Sequence, residues 1–414
     1  MYIKLAIKSL LNRKASVILT IATITVSLFV MLGVDHIRHQ AKESFASSVS
    51  GVDLIVGSRT GSINLLLYSV FRIGTPTNNL AWQSYHRISK EPSVRWAVPI
   101  SLGDSHKGYR VVGTTPTYFD VYKFGKKQPL HFTQGKAFDT VFEVVLGANI
   151  ADQLGYRLGD KITLSHGIGN TSFTKHDHLP FKVVGILKTT GTPVDQTLHV
   201  SLQGLTAVHI TNPQEISHLI KTPKLPLAQA THLLPKSVTA IMIGLKSKMS
   251  VFNFRHQINT DDKEPLSAIL PGVALSQLWQ TMSVFDNTLQ LITLLVIISS
   301  LIGLCATMLS SIKERLNEIK LLRMIGASSS YIFSLIELEA LLIAFISVVL
   351  ALISLNLALS VSQEIILNSY GVMINSQIFS KSSVQLLIGF ILFVFIAAIP
   401  PALAAFNIAK NRHI

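Results

Sequence analysis

Charged residues are scarce in this chain. Only 14% of its 414 residues are Asp, Glu, Lys or Arg, against about 25% in an ordinary soluble domain, while 49% are hydrophobic. That balance excludes a disordered chain and points to a membrane protein. Cysteine is almost absent as well. The single Cys305 excludes an intramolecular disulfide and a cysteine-rich metal site, and leaves the compartment unread. Catalytic motifs are also missing: there is no Walker A loop, no Gly-x-Ser-x-Gly elbow and no His-Glu-x-x-His pair, so the chain hydrolyses no nucleotide by a P-loop of its own. Gly57-Ser58-Arg59-Thr60-Gly61 follows a strand-like run but reads as a turn rather than a phosphate cradle. Acids are outnumbered, 22 against 36 Lys and Arg, for a net charge of +14 and a pI near 9.8. Such a balance invites a nucleic-acid reading, so the position of the charges has to decide.

Long uncharged runs are what the sequence does have. Four of them, 15–34, 287–311, 340–363 and 382–409, reach the roughly 20 helical residues needed to cross a hydrocarbon core. The first exceeds a signal-peptide core and leads into His36-Ile37-Arg38-His39 instead of a small-residue cleavage site, so it is a retained span. Lysines and arginines beside the spans give the orientation. Lys4, Lys8, Arg13 and Lys14 precede the first; Lys313, Arg315, Lys320 and Arg323 lie between the second and third; Lys410 and Arg412 follow the fourth. Both termini are therefore expected in the cytoplasm. The expected parts are a cytoplasmic amphipathic N-terminus (1–14), spans at 15–35, 286–309, 330–360 and 383–409, an outer domain over 36–285, a cytoplasmic helix over 310–329, a short outer loop at 361–382 and a tail at 410–414.

The outer segment 36–285 carries 25 Lys and Arg against 15 Asp and Glu, and 13 of the 14 histidines. Most of the positive charge thus lies away from chromosomal DNA, and nucleic acid is not expected as a partner. Strand-length apolar runs at 53–56, 109–112, 141–146, 181–187, 198–202 and 238–243, with helical pieces at 149–154 and 251–258, read as a mixed α/β domain. Residues 36–50 and 275–287 continue the spans as stalks. The three-proline segment 221–236 reads as a loop joining two subdomains. His166, His176 and His178, with His199 and His209 beyond them, are weak metal candidates. Solvated loop histidines are the simpler reading, and a heme- or metal-linked role stays open.

The link after the second span sets Ile312, Leu316, Ile319 and Leu322 at helical spacing with Lys313, Glu314, Glu318 and Lys320 elsewhere around the helix. Gly326 suits a left-handed helix end, and the serines at 328–330 suit a cap. Such a helix could lie on lipid headgroups or present charges to a protein. Glu339 reads as a carboxylate near a helix start, favoured by the dipole.

The run from Glu314 to Ser328, followed by Leu338-Glu339-Ala340-Leu341-Leu342, resembles the MacB, LolC/LolE and FtsX permeases, the four-span type VII transporters of the ATP-binding cassette class. The outer segment agrees through Val111-Val112-Gly113, Tyr118-Phe119, Glu143-Val-Val-Leu-Gly147, Gly159-Asp160 and Thr190-Gly-Thr-Pro193-Val-Asp195. The resemblance implies an α+β membrane protein with a MacB-like periplasmic domain between helices 1 and 2; this sequence departs from MacB itself in lacking the fused N-terminal ATPase domain. It implies a second permease copy, identical or related, and a cytoplasmic ATPase dimer that binds the ATP and Mg. A periplasmic adaptor or lipoprotein partner stays open. By position, Glu314, Arg315, Glu318, Lys320, Arg323 and Gly326 would carry the ATPase contact, supported by Glu339. Two functions follow as expectations. One is a non-enzymatic permease driving export or extrusion of a lipid, lipoprotein, peptide or small molecule by mechanotransmission. The other is an FtsX-like scaffold that activates an outer partner such as a cell-wall hydrolase.

Overall fold

The computed structural model describes the backbone of residues 2–166, 179–370 and 381–411. It divides into two compact units. One is helical and takes in the residues through Gln40, Ser283–Gln363 and the last helix; the other is mixed α/β and spans Ala41–Met282.

The helical unit and its stalks contain α1 (Tyr2–Leu11), α2 (Lys14–Ser47), α3 (Pro271–Glu314), α4 (Leu316–Met324), α5 (Ser329–Tyr370) and α6 (Lys381–Asn411). Among the described residues, α2, α3, α5 and α6 are long and apolar enough to cross a membrane. A lipid-embedded backbone has to satisfy its own polar groups, which leaves uncharged runs of this length only the helix. α2 buries Ile24, Leu28 and Met31 on one face and exposes Ile18, Leu19 and Val26 on the other, the pattern of a span with one protein-facing stripe. Small polar side chains satisfy themselves at the helix contacts. Ser347 Oγ donates to the Ile343 carbonyl at 2.8 Å, and Thr20 Oγ1 lies 3.3 Å from Thr307 Oγ1. α6 continues through Pro400 and Pro401, a break in the ladder that spans tolerate better than soluble helices do.

The α/β unit is organised by one sheet. Its strands are β1 (Leu54–Ser58), β2 (Val94–His106), β3 (Tyr109–Thr114), β4 (Phe132–Gly135), β5 (Glu143–Leu146), β6 (Phe181–Leu187), β7 (Thr197–Ser201), β8 (Ala240–Leu245) and β9 (Leu266–Ile269). Their spatial order is β9-β1-β8-β2-β3-β7-β5-β6-β4, with two short strands added at 161–162 and 165–166. β3 and β7 run parallel, as do β5 and β6; the other neighbours are antiparallel. β2 spans the centre. Its first half pairs with β8 and its second half with β3, with a bulge between Leu102 and Ser105. Pro99 stands within it, where a central strand normally excludes proline. The Pro99 carbonyl accepts from Thr114 Oγ1 at 2.9 Å, so its nitrogen, on the same side of the strand, points away from the β8 ladder and no ladder bond is lost.

Segment 221–236 is packed rather than a free linker. Val141 donates its amide to the Leu225 carbonyl, Leu227 donates to the Asp139 carbonyl, and Ala230 and Leu233 are buried in a core cluster with Val141 and Phe142. The stalk ends are anchored in the same unit. Phe45 of α2 meets Trp279 of α3 edge-on at 5.6 Å and Phe71 at 4.6 Å, and Lys42 lies over the Trp279 ring. Ser44 Oγ donates to the Gly191 carbonyl at 3.2 Å, and the Tyr122 hydroxyl donates to the Ser48 carbonyl at 2.7 Å.

Gly191 belongs to a turn built around Asp195. The fully buried Asp195 carboxyl accepts from Thr190 N, Thr190 Oγ1 and Gly191 N at 2.7 to 2.9 Å. Burial outweighs these donors and pushes Asp195 up to about 6. Gly147 packs against this turn so closely that a Cβ there would lie 2.3 Å from the Val194 carbonyl oxygen, which is why no larger residue fits. Nearby, His199 is wholly buried and stacked on Tyr118. Burial first, and the Arg72 charge second, drive it down to about 3.

These two groups load the pH profile in opposite directions. Between 6.5 and about 3 the folded chain binds fewer protons at His199 than the unfolded chain, so stability from this group is lost as pH falls. Between 3.8 and about 6 it binds more at Asp195, so stability from that group is lost as pH rises. In pH-dependent unfolding of the full chain, monitored on the outer unit, His199→Gln is expected to flatten the acid loss and Asp195→Asn to steepen it. Identical profiles for all three proteins would refute both assignments.

Candidate functional site

The site begins where the second span ends. α3 stops at Glu314, Arg315 takes a non-helical ψ of 14°, and α4 starts at Leu316. The helix expected over 310–329 is therefore two pieces hinged at one arginine. Ile312 and Ile319 are buried, and Leu316 and Leu322 half-buried, as their spacing predicts. α4 lies against α6, whose buried row Ala398, Ala402, Ala405 and Ala409 lets helices approach closely. At the far end Gly326 has φ +95°, a conformation that costs other residues strain. The Ala327 amide returns to the Leu322 carbonyl at 2.9 Å, closing the helix. Ser328 Oγ accepts from the Tyr331 amide and caps α5.

Arg315 is fixed by charge. Its Nη1 donates to both Glu339 carboxylate oxygens, at 2.9 and 3.0 Å, and its Nε donates to Glu318 Oε2 at 2.8 Å. Arg13, from the joint between α1 and α2, reaches Glu339 Oε2 at 3.2 Å. The four groups together are neutral. Glu339 is 1% exposed, and a carboxylate buried that deeply is tolerable only when paired and hydrogen-bonded. The dipole reading of Glu339 fails, because α5 starts at Ser329 and places Glu339 nearly three turns inside, beyond the reach of the N-terminal field. The two arginines hold it instead.

The structure thus brings Arg315, Glu318 and Glu339 together and adds Arg13, which no spacing could reveal across 326 residues of separation. Glu314 and Arg323 stay exposed and Lys320 is half-exposed; Arg323 donates to the Ala327 carbonyl at 3.0 Å. The helical stripe also left a second group unnoticed. Leu321, Met324 and Ile325, 58%, 66% and 75% exposed, form an apolar surface beside Arg323. The histidines converge on nothing comparable. His176 and His178 lie outside the described residues, His166 is described only as backbone in a short strand, and no metal-ligating cluster occurs among the described residues. His199 is a core residue, and His209 sits 3.6 Å from the buried Asp104, a partner that raises its proton affinity.

Two family models account for almost all of the chain. Residues 17–261 match the MacB-like periplasmic core domain and residues 290–411 the FtsX-like permease C-terminal domain. The chain belongs to the MacB/FtsX-like family of ABC transporter permeases. Among solved structures, the periplasmic region of MacB from Actinobacillus actinomycetemcomitans is similar, with 12% identity and a TM-score of 0.35 over 58% of this chain and 97% of that one. The extracellular domain of the noncanonic ABC-type transporter YknZ from Gram-positive bacteria shows 11% identity and a TM-score of 0.29 over 53% and 98%. Identities and scores this low add no weight, and membership rests on the family models. Comparison with curated proteins gives no match. The permease is accordingly a multi-pass membrane protein with a MacB-like outer domain, of a family whose membrane component is generally not itself catalytic.

Removing one partner of a buried ion pair costs about 3–5 kcal/mol, because the other charge is left behind. In detergent-solubilised permease, Glu339→Gln is expected to lower the unfolding free energy by about 3 kcal/mol. Combined with Arg315→Gln it should cost clearly less than the sum of the two single changes. Additive losses in this double-mutant cycle would show that the two residues do not act as a pair.

Proposed function

We propose that the permease couples ATP hydrolysis by a separate cytoplasmic ATPase to movement of its outer domain, and thereby drives export or extrusion of an extracytoplasmic substrate. The observation that carries this reading is the link itself. α4 is clamped by the Arg13–Glu339–Arg315–Glu318 network and still presents Leu321, Met324 and Ile325 beside Arg323. A rigid helix with an apolar centre and a charged rim has the composition of a protein interface. α2 and α3 each run unbroken from the span into a stalk, and a continuous helix transmits displacement along its axis.

On this reading the chain lies in the bacterial inner membrane with both termini in the cytoplasm and works with a second permease copy and two ATPase subunits. Those subunits bind the ATP and Mg. Lipid, lipoprotein, peptide and small-molecule substrates all suit a mechanism that moves the outer domain without passing cargo between the spans.

The test is affinity recovery of the full-length permease from its native membranes. Wild type is expected to bring down an ATPase. Met324→Asp and Arg323→Glu, which alter exposed side chains, should each reduce its recovery at least tenfold while leaving the unfolding midpoint of the permease unchanged. Undiminished recovery with both variants would remove α4 as the contact.

A further inference from the structure

The outer unit holds a cationic cavity unrelated to the α4 face. It has a volume of about 430 Å³ and is lined by Arg72, Tyr109, Arg110, Gln153, Gln196 and Thr197 among others, with no Asp or Glu in its wall. A space of that size falls in the range of small-molecule sites.

Its construction is unusual at Arg72. Residues Leu67–Phe71 form a π-helical turn, a rare element concentrated at functional sites. Arg72 closes that turn in the left-handed region, with φ 60° and ψ 21°, a conformation that strains any side-chain-bearing residue. Arg72 lines the cavity wall and is only 8% exposed. There Arg72 donates to the Ser69 carbonyl. Arg110 comes from β3 and donates through Nη2 to the Gly74 carbonyl at 2.8 Å. Among the described residues neither guanidinium forms an ion pair with a carboxylate.

A guanidinium withdrawn from bulk water without a counter-charge, as at Arg72, is costly to the fold, and the half-buried Arg110 lines the same cavity. Each has five N–H donors in a planar fork, more than are taken up by the Ser69 carbonyl and Tyr118 hydroxyl at Arg72 and by the Gly74 carbonyl at Arg110. Oxyanions match that fork bidentately, which is why arginine predominates wherever phosphate or carboxylate groups are recognised. The remaining wall adds neutral polar groups. The Tyr109 hydroxyl donates to Gln153 Oε1, and Thr197, which faces Arg110 across the β3–β7 ladder, donates through Oγ1 to the Pro193 carbonyl.

We propose that this cavity is a binding site for a phosphate-type oxyanion, held by Arg72 and Arg110. The site is independent of the ATPase-coupling reading. It gives the outer unit an anion receptor whose ligand is either free phosphate or a small phosphate ester of the kind found in lipid headgroups.

The test uses the full-length permease in a neutral detergent and phosphate-free buffer at constant ionic strength, titrated calorimetrically with inorganic phosphate and, separately, with glycerol 3-phosphate. Saturable binding is expected. Comparable affinity for both probes identifies free oxyanion as the ligand, and at least tenfold tighter binding of the ester identifies a headgroup-like ligand. Arg110→Gln, at a half-buried position, should weaken the better probe at least tenfold. Because that variant could unfold, wild type alone supplies a second readout. The same probe should raise its unfolding midpoint in a concentration-dependent way, as a ligand that binds only the folded state must. No saturable heat and no midpoint shift with either probe would overturn the site, as would equal binding by a folded Arg110→Gln.

Discussion

A single buried carboxylate organises the end of the helical unit at which spans two and three are joined. Glu339 is nearly three turns inside α5, where no helix terminus can help it, and its charge is supportable only because Arg315 and Arg13 reach it. Arg315 in turn sits at the break between α3 and α4, so the pairing that satisfies Glu339 also fixes the angle at which α4 leaves the membrane segment. Arg13 brings the joint between α1 and α2 to the same point. Five helices are thus held by four charges that sum to zero. Everything α4 exposes is exposed because its other face is spoken for, by Ile319 inside and by this network at its start.

The outer unit obeys a different constraint. Its sheet changes partners midway along β2, and the strand survives that change because Pro99 and the bulge beyond Leu102 fall where ladder bonds are not required on both sides. The stalk ends enter this unit through aromatic contacts at Phe45, Phe71 and Trp279, and through Ser44 on the turn that Asp195 holds together. The Thr190-to-Asp195 run that marks the family in sequence therefore has a physical job: its carboxyl collects the turn's amides, and the turn grips the stalk. The Arg72 and Arg110 cavity borders this turn at Pro193, and Arg72 lines it from a left-handed backbone.

Much of this was legible from residues alone, and for clear reasons. The spans follow from uncharged length, because lipid allows such runs only the helix. The strand at Phe181–Leu187 and the helix at Val251–Asn259 follow from period and flanking turn residues. Gly326 and Ser328 mark the helix end and cap by local backbone chemistry. β2 was not legible, because its 13 residues include Pro99, Gly103, Asp104 and Ser105, and no apolar alternation survives in a strand that switches neighbours. The packing of segment 221–236 was hidden for the opposite reason: three prolines read as a linker, although the buried Ala230 and Leu233 make it a wall of the core.

The sequence by itself determined the membrane class, the number of spans, the mixed α/β outer domain and the family, because each rests on local composition or on motifs contiguous in the chain. It also placed charge on the link between spans two and three. Only the tertiary structure decided which of those charges pair inside the helical unit and which stay exposed. Arg315 and Glu339 close onto each other and onto Arg13, while Arg323 stays outside with Leu321, Met324 and Ile325. Pairings across 24 and 326 residues are set by how helices pack, and no periodicity along one helix records which neighbour its buried face will meet.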